Sequence, residues 1–299
     1  MRNEHAIEKT GSSLRAQFAV WSELVKLRLT TMVLITTAMG FYLASAKGID
    51  WPLLWHALLG TGLLACGAAA LNQFLEKEYD ARMPRTADRP LPAGQVSPET
   101  ALLAGGAMAA AGMIYLALQV NLLTCVIGAV TLVSYIAVYT PLKRVTSLNT
   151  LVGAIPGALP PLMGWTAVTD ALSPGGWALV AILFFWQLPH FLAIAWIYRE
   201  DYEQAGFRMI SSGETGGRDT GRFAVISCLA LLPAALSPYW LGISGTPYCG
   251  GAVMLTLFFA GLSWKFAREL TKDSARRLFY YSLLYLPLLL GLVIWDRAA

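Results

Sequence analysis

Nine apolar runs divide this chain, at about 30–46, 52–75, 98–118, 121–139, 148–169, 174–197, 222–242, 247–265 and 278–296. Each is close to the roughly 20 residues that a helix needs to cross a bilayer core. The polar stretches between them alternate. Those after runs two and six are long and charged, and those on the opposite side are short and nearly uncharged. The pattern predicts an all-α, polytopic membrane protein with nine transmembrane helices.

Composition agrees. Of 299 residues, 56% are apolar and 13% charged, against roughly 45–50% and 25% in soluble domains. The first 23 residues are polar and lead into the first run without a short apolar core and small-residue cleavage site, so no cleaved leader is expected. The division expected is a cytoplasmic arm over 1–23 and one transmembrane domain over 24–299. The net charge of +4 is less informative than its placement. All but two of the 22 Lys and Arg residues fall on one side; Lys47 and Arg297 are the exceptions. By the positive-inside rule that side is cytoplasmic. The N-terminus is then cytoplasmic, and an odd number of spans puts the C-terminus on the far side.

Two spans carry helix breakers at depth. The fifth contains Pro156, Pro160 and Pro161, and the sixth contains Gln187, Pro189 and His190. Proline removes a backbone donor and bends a helix. Irregular backbone at membrane depth is tolerated where it lines a cavity or is buried in protein, so these breakers predict a central cavity. Cys66, Cys125, Cys228 and Cys249 are isolated and read as small packing residues.

The chemistry gathers where the second run ends. Asn72, Glu76 and Asp80 are spaced by four and share one helix face. Three oxygen donors on one stripe suit a hard cation such as Mg²⁺. Arg85 and Arg89 follow, and guanidinium forks suit phosphate oxygens. Pro90 and Pro92 stiffen the segment that carries Arg89. A metal-and-arginine grip on a diphosphate, set against a membrane interior, points to a lipid diphosphate as substrate.

Other candidates leave alternatives open. Lys143 and Arg144, in the turn after Tyr139 and Pro141, read as a second anion clamp or as an orientation signal. Lys26 and Arg28 read as interfacial anchors or as substrate contacts. His190 reads as a hydrogen-bonded bundle residue, an iron ligand or a proton acceptor. Glu200 and Asp201, near Tyr198, read as a second metal site or a solvated helix end.

These residues together resemble a known family. Asn72, Glu76, Asp80, Met83, Arg85, Thr86, Arg89, Pro90, Leu91 and Pro92 are similar to the signature of the UbiA superfamily of membrane prenyltransferases. Gln73 and Glu76, where other branches carry Asp, point to the branch that farnesylates protohaem IX. Tyr139 to Arg144, Asn149 to Trp165, Trp186 to Phe191 and Asp201-Tyr202 extend the similarity over roughly 20–296. There are departures. The first span opens Lys26-Leu27-Arg28, and His190 stands where the superfamily's second acidic motif would begin.

The resemblance implies nine helices around a central cavity. It implies transfer of a farnesyl group from farnesyl diphosphate to haem B, giving haem O, with Mg²⁺ required. Asn72, Glu76 and Asp80 would hold the metal. Arg85, Arg89, Lys143, Arg144 and Arg28 would grip the diphosphate. Tyr139, Asn149, Trp165, Trp186, Gln187 and Tyr198 would line the cavity. His190 and Asp201 would act in catalysis, with Glu200 and Asp201 as further metal ligands. The setting implied is a bacterial inner membrane, with haem A synthase or a terminal oxidase downstream and no nucleic-acid partner. The rival readings are a related enzyme acting on an aromatic quinone precursor and a haem transporter. The far side, almost bare of charge, disfavours the transporter.

Overall fold

The computed structural model describes residues 14–46, 48–213 and 215–297. Arg2, Lys9 and Lys47 from the charge count, and most of the expected 1–23 arm, lie outside them. Among the described residues, nine helices are long and apolar enough to cross a membrane. They are α1 (Leu27–Ala44), α2 (Trp51–Asp80), α3 (Pro98–Gln119), α4 (Leu122–Leu142), α5 (Asn149–Thr169), α6 (Pro174–Ile197), α7 (Gly216–Trp240), α8 (Thr246–Glu269) and α9 (Lys272–Trp295). Residues 14–24 are also helical and lead into α1.

Helix starts follow local chemistry. Asp50, Ser97 and Asn121 each accept the backbone N–H three residues on, and Thr271 forms a capping box with Ser274. Proline occupies the first turn of α2, α3, α6 and α8, where its missing N–H costs nothing. The spans therefore run longer than the apolar runs. α2 continues through Asp80, and at 30 residues is about 45 Å long. α7 starts at Gly216 and α9 at Lys272. The expected 265–277 loop shrinks to Leu270 and Thr271, and most of its charges sit on helix ends.

Alternating direction brings residues 14–26, 81–97, 143–148, 198–213 and 270–271 to one end of the bundle. Bonds between them confirm it: Arg85 Nη2 donates to the Tyr202 hydroxyl at 2.7 Å, and the Arg208 N–H donates to the Lys143 carbonyl at 2.8 Å. The largest apolar core lies among α6, α7, α8 and α9, with Tyr248, Tyr285, Phe259 and Phe266 fully buried.

Of the two spans expected to carry breakers, the fifth is interrupted and the sixth runs unbroken through Pro189. α5 is interrupted at Leu159, between Asn149–Ala158 and Pro160–Thr169. α4 widens to a π-helix over Ser134–Tyr139. Pro141 supplies the cause, because its ring crowds the carbonyl four residues back and its missing N–H cannot bond it.

α1 and α5 meet through Gly40 and Gly164. A Cβ on Gly164 would collide with the Thr37 carbonyl oxygen, and one on Gly40 with the Pro161 carbonyl oxygen. Gly164→Ala is therefore expected to cost about 1–3 kcal/mol through overpacking against backbone. A lowered thermal midpoint in detergent checks this, and an unchanged midpoint refutes it.

Candidate functional site

The end of α2 presents Asn72, Glu76 and Asp80 as one buried stripe, with 0%, 3% and 1% of their surface exposed. Buried carboxylates need partners, and each member has a cation. Lys26 Nζ donates to Asn72 Oδ1 at 2.6 Å, Lys143 Nζ to Glu76 Oε1 at 2.7 Å, and Arg89 Nη1 to Asp80 Oδ2 at 2.7 Å. Asn72 Nδ2 donates onward to Thr140 Oγ1 at 3.1 Å, and Thr140 in turn donates to the Tyr135 carbonyl inside the π-turn.

Each cation is placed by local backbone. Lys26 has φ 48° and ψ 54°, a left-handed kink between the 14–24 helix and α1 that costs about 1 kcal/mol. The kink aims Lys26 at Asn72. Lys143 leaves the end of α4 with its ammonium 4.6 Å from the centre of the Tyr139 ring. Arg89 follows a turn in which the Thr86 hydroxyl donates to the Asp80 carbonyl at 2.8 Å.

Burial pulls the Lys26 ammonium down to about 7, with Arg89 adding to the effect and Glu76 opposing it. Burial also works against the Lys143 ammonium, but Tyr139 and Glu76 outweigh it and hold that pKa above its ordinary value. Lys143 and Arg89 match the two carboxylates, and Lys26 in its protonated form adds a positive charge that favours an anion.

A hard divalent cation fits this donor set. The carboxylates and the amide oxygen lie one helical turn apart on one face, and their present partners are cations.

Several other expected residues lie apart from the stripe. Arg85 turns away from the stripe. It bonds Tyr202 and lies 4.9 Å from the centres of both the Tyr198 and Tyr202 rings. Arg144 grips α2 from outside, donating to the Leu75 carbonyl at 2.9 Å over the Tyr79 ring. Arg28 is exposed, and Lys26 rather than Arg28 reaches the stripe. Asn149 Nδ2 pins two loops through the Thr146 and Arg208 carbonyls at 2.7 and 2.6 Å. Gln187 Nε2 ties α6 to the interrupted α5 through the Ala154 carbonyl at 2.7 Å. Trp165 lies at the opposite end of α5, against Gly175 and Gly176. Glu200 is exposed and paired with Lys272 at 3.5 Å, with Asp201 beside it. Among the described residues no three His, Cys, Asp or Glu side chains group as a metal site; the α2 stripe has two acids and an amide, and Glu200 and Asp201 are a pair.

His190 faces α9. The Ser282 hydroxyl donates to the Phe279 carbonyl at 2.5 Å, so its oxygen accepts from His190 Nδ1 at 2.7 Å. That assigns the proton to Nδ1 and leaves Nε2 with its lone pair. Trp186 stacks on the same ring and donates to the Ser282 carbonyl at 2.8 Å.

Spacing alone did not reveal Lys26 in this role, Tyr135, Thr140 or Ser282. Gln73 points elsewhere than its neighbours suggest. Its Nε2 donates to the Glu23 and Leu24 carbonyls at 2.8 and 3.0 Å, fixing the segment that delivers Lys26.

Residues 33–286 match the UbiA prenyltransferase family. Similar proteins include the protoheme IX farnesyltransferase of Solibacter usitatus (strain Ellin6076), 46% identical over 92% of this chain and 97% of that one. That of Myxococcus xanthus (strain DK1622) is 44% identical over 92% and 93%. The mitochondrial human protein of the same name is 41% identical over 92% of this chain and 61% of its own length. Among solved structures, a UbiA homologue from Aeropyrum pernix K1 superposes with a TM-score of 0.70 at 19% identity, covering 88% of this chain and 97% of that chain. A homologue from Archaeoglobus fulgidus bound to GPP and Mg²⁺ gives 0.62 at 13%, covering 92% and 99%. At such identities the structures establish the shared fold.

Proposed function

The chain belongs to the UbiA prenyltransferase family, and from that premise we propose that it transfers the farnesyl group of farnesyl diphosphate to a vinyl group of haem B, giving haem O. The observation that carries this reading is the buried stripe of Asn72, Glu76 and Asp80, each matched to a cation at 2.6–2.7 Å, in a chain 41–46% identical to proteins named for this reaction.

The chemistry balances as farnesyl diphosphate, haem B and water going to haem O and diphosphate. The C–O bond of the allylic diphosphate breaks with its electron pair leaving on the diphosphate. Lys26, Lys143 and Arg89 stabilise that developing charge in a water-poor site. The vinyl group attacks the allylic carbon, and the new cation beside the porphyrin takes up water and loses a proton. His190 Nε2 has the lone pair to receive that proton or to bind the haem iron. The Tyr135 and Tyr139 rings, stacked at 5.7 Å beside Lys143, offer π faces to the allylic cation.

Asn72, Glu76 and Asp80 would hold Mg²⁺, which when bound neutralises the leaving diphosphate. The Archaeoglobus homologue bound to GPP and Mg²⁺ supports this. The charge bias supports a cytoplasmic active-site end with a far-side C-terminus; the membrane would be a bacterial inner membrane. The product would pass to haem A synthase or a terminal oxidase.

The test supplies the purified chain with labelled farnesyl diphosphate and either haem B or 4-hydroxybenzoate, followed by mass analysis. A farnesylated, hydroxylated haem is expected. Prenylated 4-hydroxybenzoate with untouched haem would overturn the reading.

Arg89 engages Asp80 through Nη1, which leaves other N–H groups of the fork for phosphate. A lysine keeps the charge but not the fork. Arg89→Lys is expected to lower kcat/KM for farnesyl diphosphate about tenfold. Unchanged kinetics would remove Arg89 from the diphosphate grip.

A further inference from the structure

A cleft of about 510 Å³ opens between the loop-side ends of α6 and α9. Its mouth carries Arg85, Lys272 and Arg276 against Glu200 and Asp201, and Phe279 forms part of its wall. None of these residues belongs to the Lys26, Lys143 and Arg89 cluster, so this end of the protein has two separate groups of cations. Lys272, Arg276, Phe279 and Ser282 are spaced by four, three and three, and run down one face of α9. The Phe279 ring is 5.0 Å from that of His190, which bonds Ser282. The cleft thus grades from a cationic mouth to an aromatic wall, and the imidazole of His190 lies behind that wall against Phe279. From Tyr198 at the mouth to His190 is eight residues of α6, about 12 Å.

Of the mouth cations, Arg85 is held by the Tyr202 hydroxyl and two tyrosine rings, whereas Lys272 and Arg276 are only loosely engaged. Lys272 is 3.5 Å from Glu200 and Arg276 is 3.6 Å from Asp273, in pairs at least half exposed. Such pairs are weak. Arg85 has no carboxylate partner within 4.0 Å among the described residues. The ligand these features suit is flat and apolar, with carboxylates at one edge.

We propose that this cleft docks the acceptor porphyrin, with its propionates on Arg85, Lys272 and Arg276 and its ring along Phe279 toward His190. This rests on haem B being the acceptor. Two anionic substrates then enter on separate cation clusters, diphosphate on α2 and propionate on α9, with their reactive ends meeting inside the bundle.

The test titrates the purified full chain with haem B, followed by the Soret band, in the wild type and in the Lys272→Gln, Arg276→Gln double variant. KM values for both substrates are measured in parallel. The variant is expected to bind haem B about tenfold more weakly, with KM for farnesyl diphosphate unchanged. Haem B dimethyl ester should bind the wild type as weakly as the variant binds the acid. Equal haem affinity in the two proteins, equal affinity of the wild type for acid and ester, or a rise confined to the farnesyl diphosphate KM would overturn the cleft assignment. Weakened haem binding in the variant of a chain that never farnesylates haem would support the cleft and overturn the reaction.

Discussion

Replacing Glu76 by alanine is expected to lower turnover at least about a hundredfold while the protein still inserts in the membrane. Insertion depends on the nine apolar spans, and Glu76 sits near the end of one of them. Turnover depends on the stripe, where Glu76 is the middle of three donors. The substitution has a second consequence. Glu76 and Lys143 are paired at 2.7 Å with side chains 4% and 17% exposed. Removing one partner leaves a buried cation, which costs about 3 kcal/mol. A lost activity could then be confused with a weakened fold. Adding Lys143→Met separates the two. An apolar replacement for the whole pair restores the thermal midpoint, because the uncompensated charge is gone, yet it does not restore turnover. Full turnover in Glu76→Ala would remove Glu76 from the metal set. Recovery of both midpoint and turnover in the double variant would show that the pair is purely structural.

The spans were legible in the sequence because bilayer thickness fixes the length of an apolar run, and lipid leaves backbone groups no partner outside the helix. The stripe was legible because a spacing of four survives on any helix. The interruption of α5 followed from Pro156, Pro160 and Pro161. What failed to show was direction. Lys26 and Arg28 are two residues apart, and sequence ranked Arg28 as the phosphate contact. The left-handed backbone at Lys26 turns Lys26 rather than Arg28 to the stripe, and no spacing rule foresees a positive φ at lysine. Arg85 lies one turn from Arg89 in sequence but faces two tyrosines of another loop, because the 81–97 segment coils rather than running extended. Gln73 was read as a marker of the family branch, and its side chain is a tether for the segment before α1. Ser282, 92 positions from His190, has nothing in its neighbourhood to signal it. Local periodicity reports local geometry, whereas the partners of a buried polar atom come from across the bundle.

Chelating divalent cations is expected to stop turnover and leave the fold intact. The reason lies in how the stripe is compensated. Asp80 already has Arg89, Glu76 has Lys143 and Asn72 has Lys26. Loss of a metal therefore strands no buried charge, unlike a structural site whose ligands have no other partner and whose domain unfolds without metal. With excess EDTA the thermal midpoint should move by no more than about 2 °C, while farnesyl transfer falls to background and returns on adding Mg²⁺. A large drop in the midpoint would mean that the internal ion pairs do not hold the site together by themselves. Continued turnover in EDTA would mean that Lys26, Lys143 and Arg89 suffice to draw off the diphosphate. The carboxylates would then serve only to hold those cations in place.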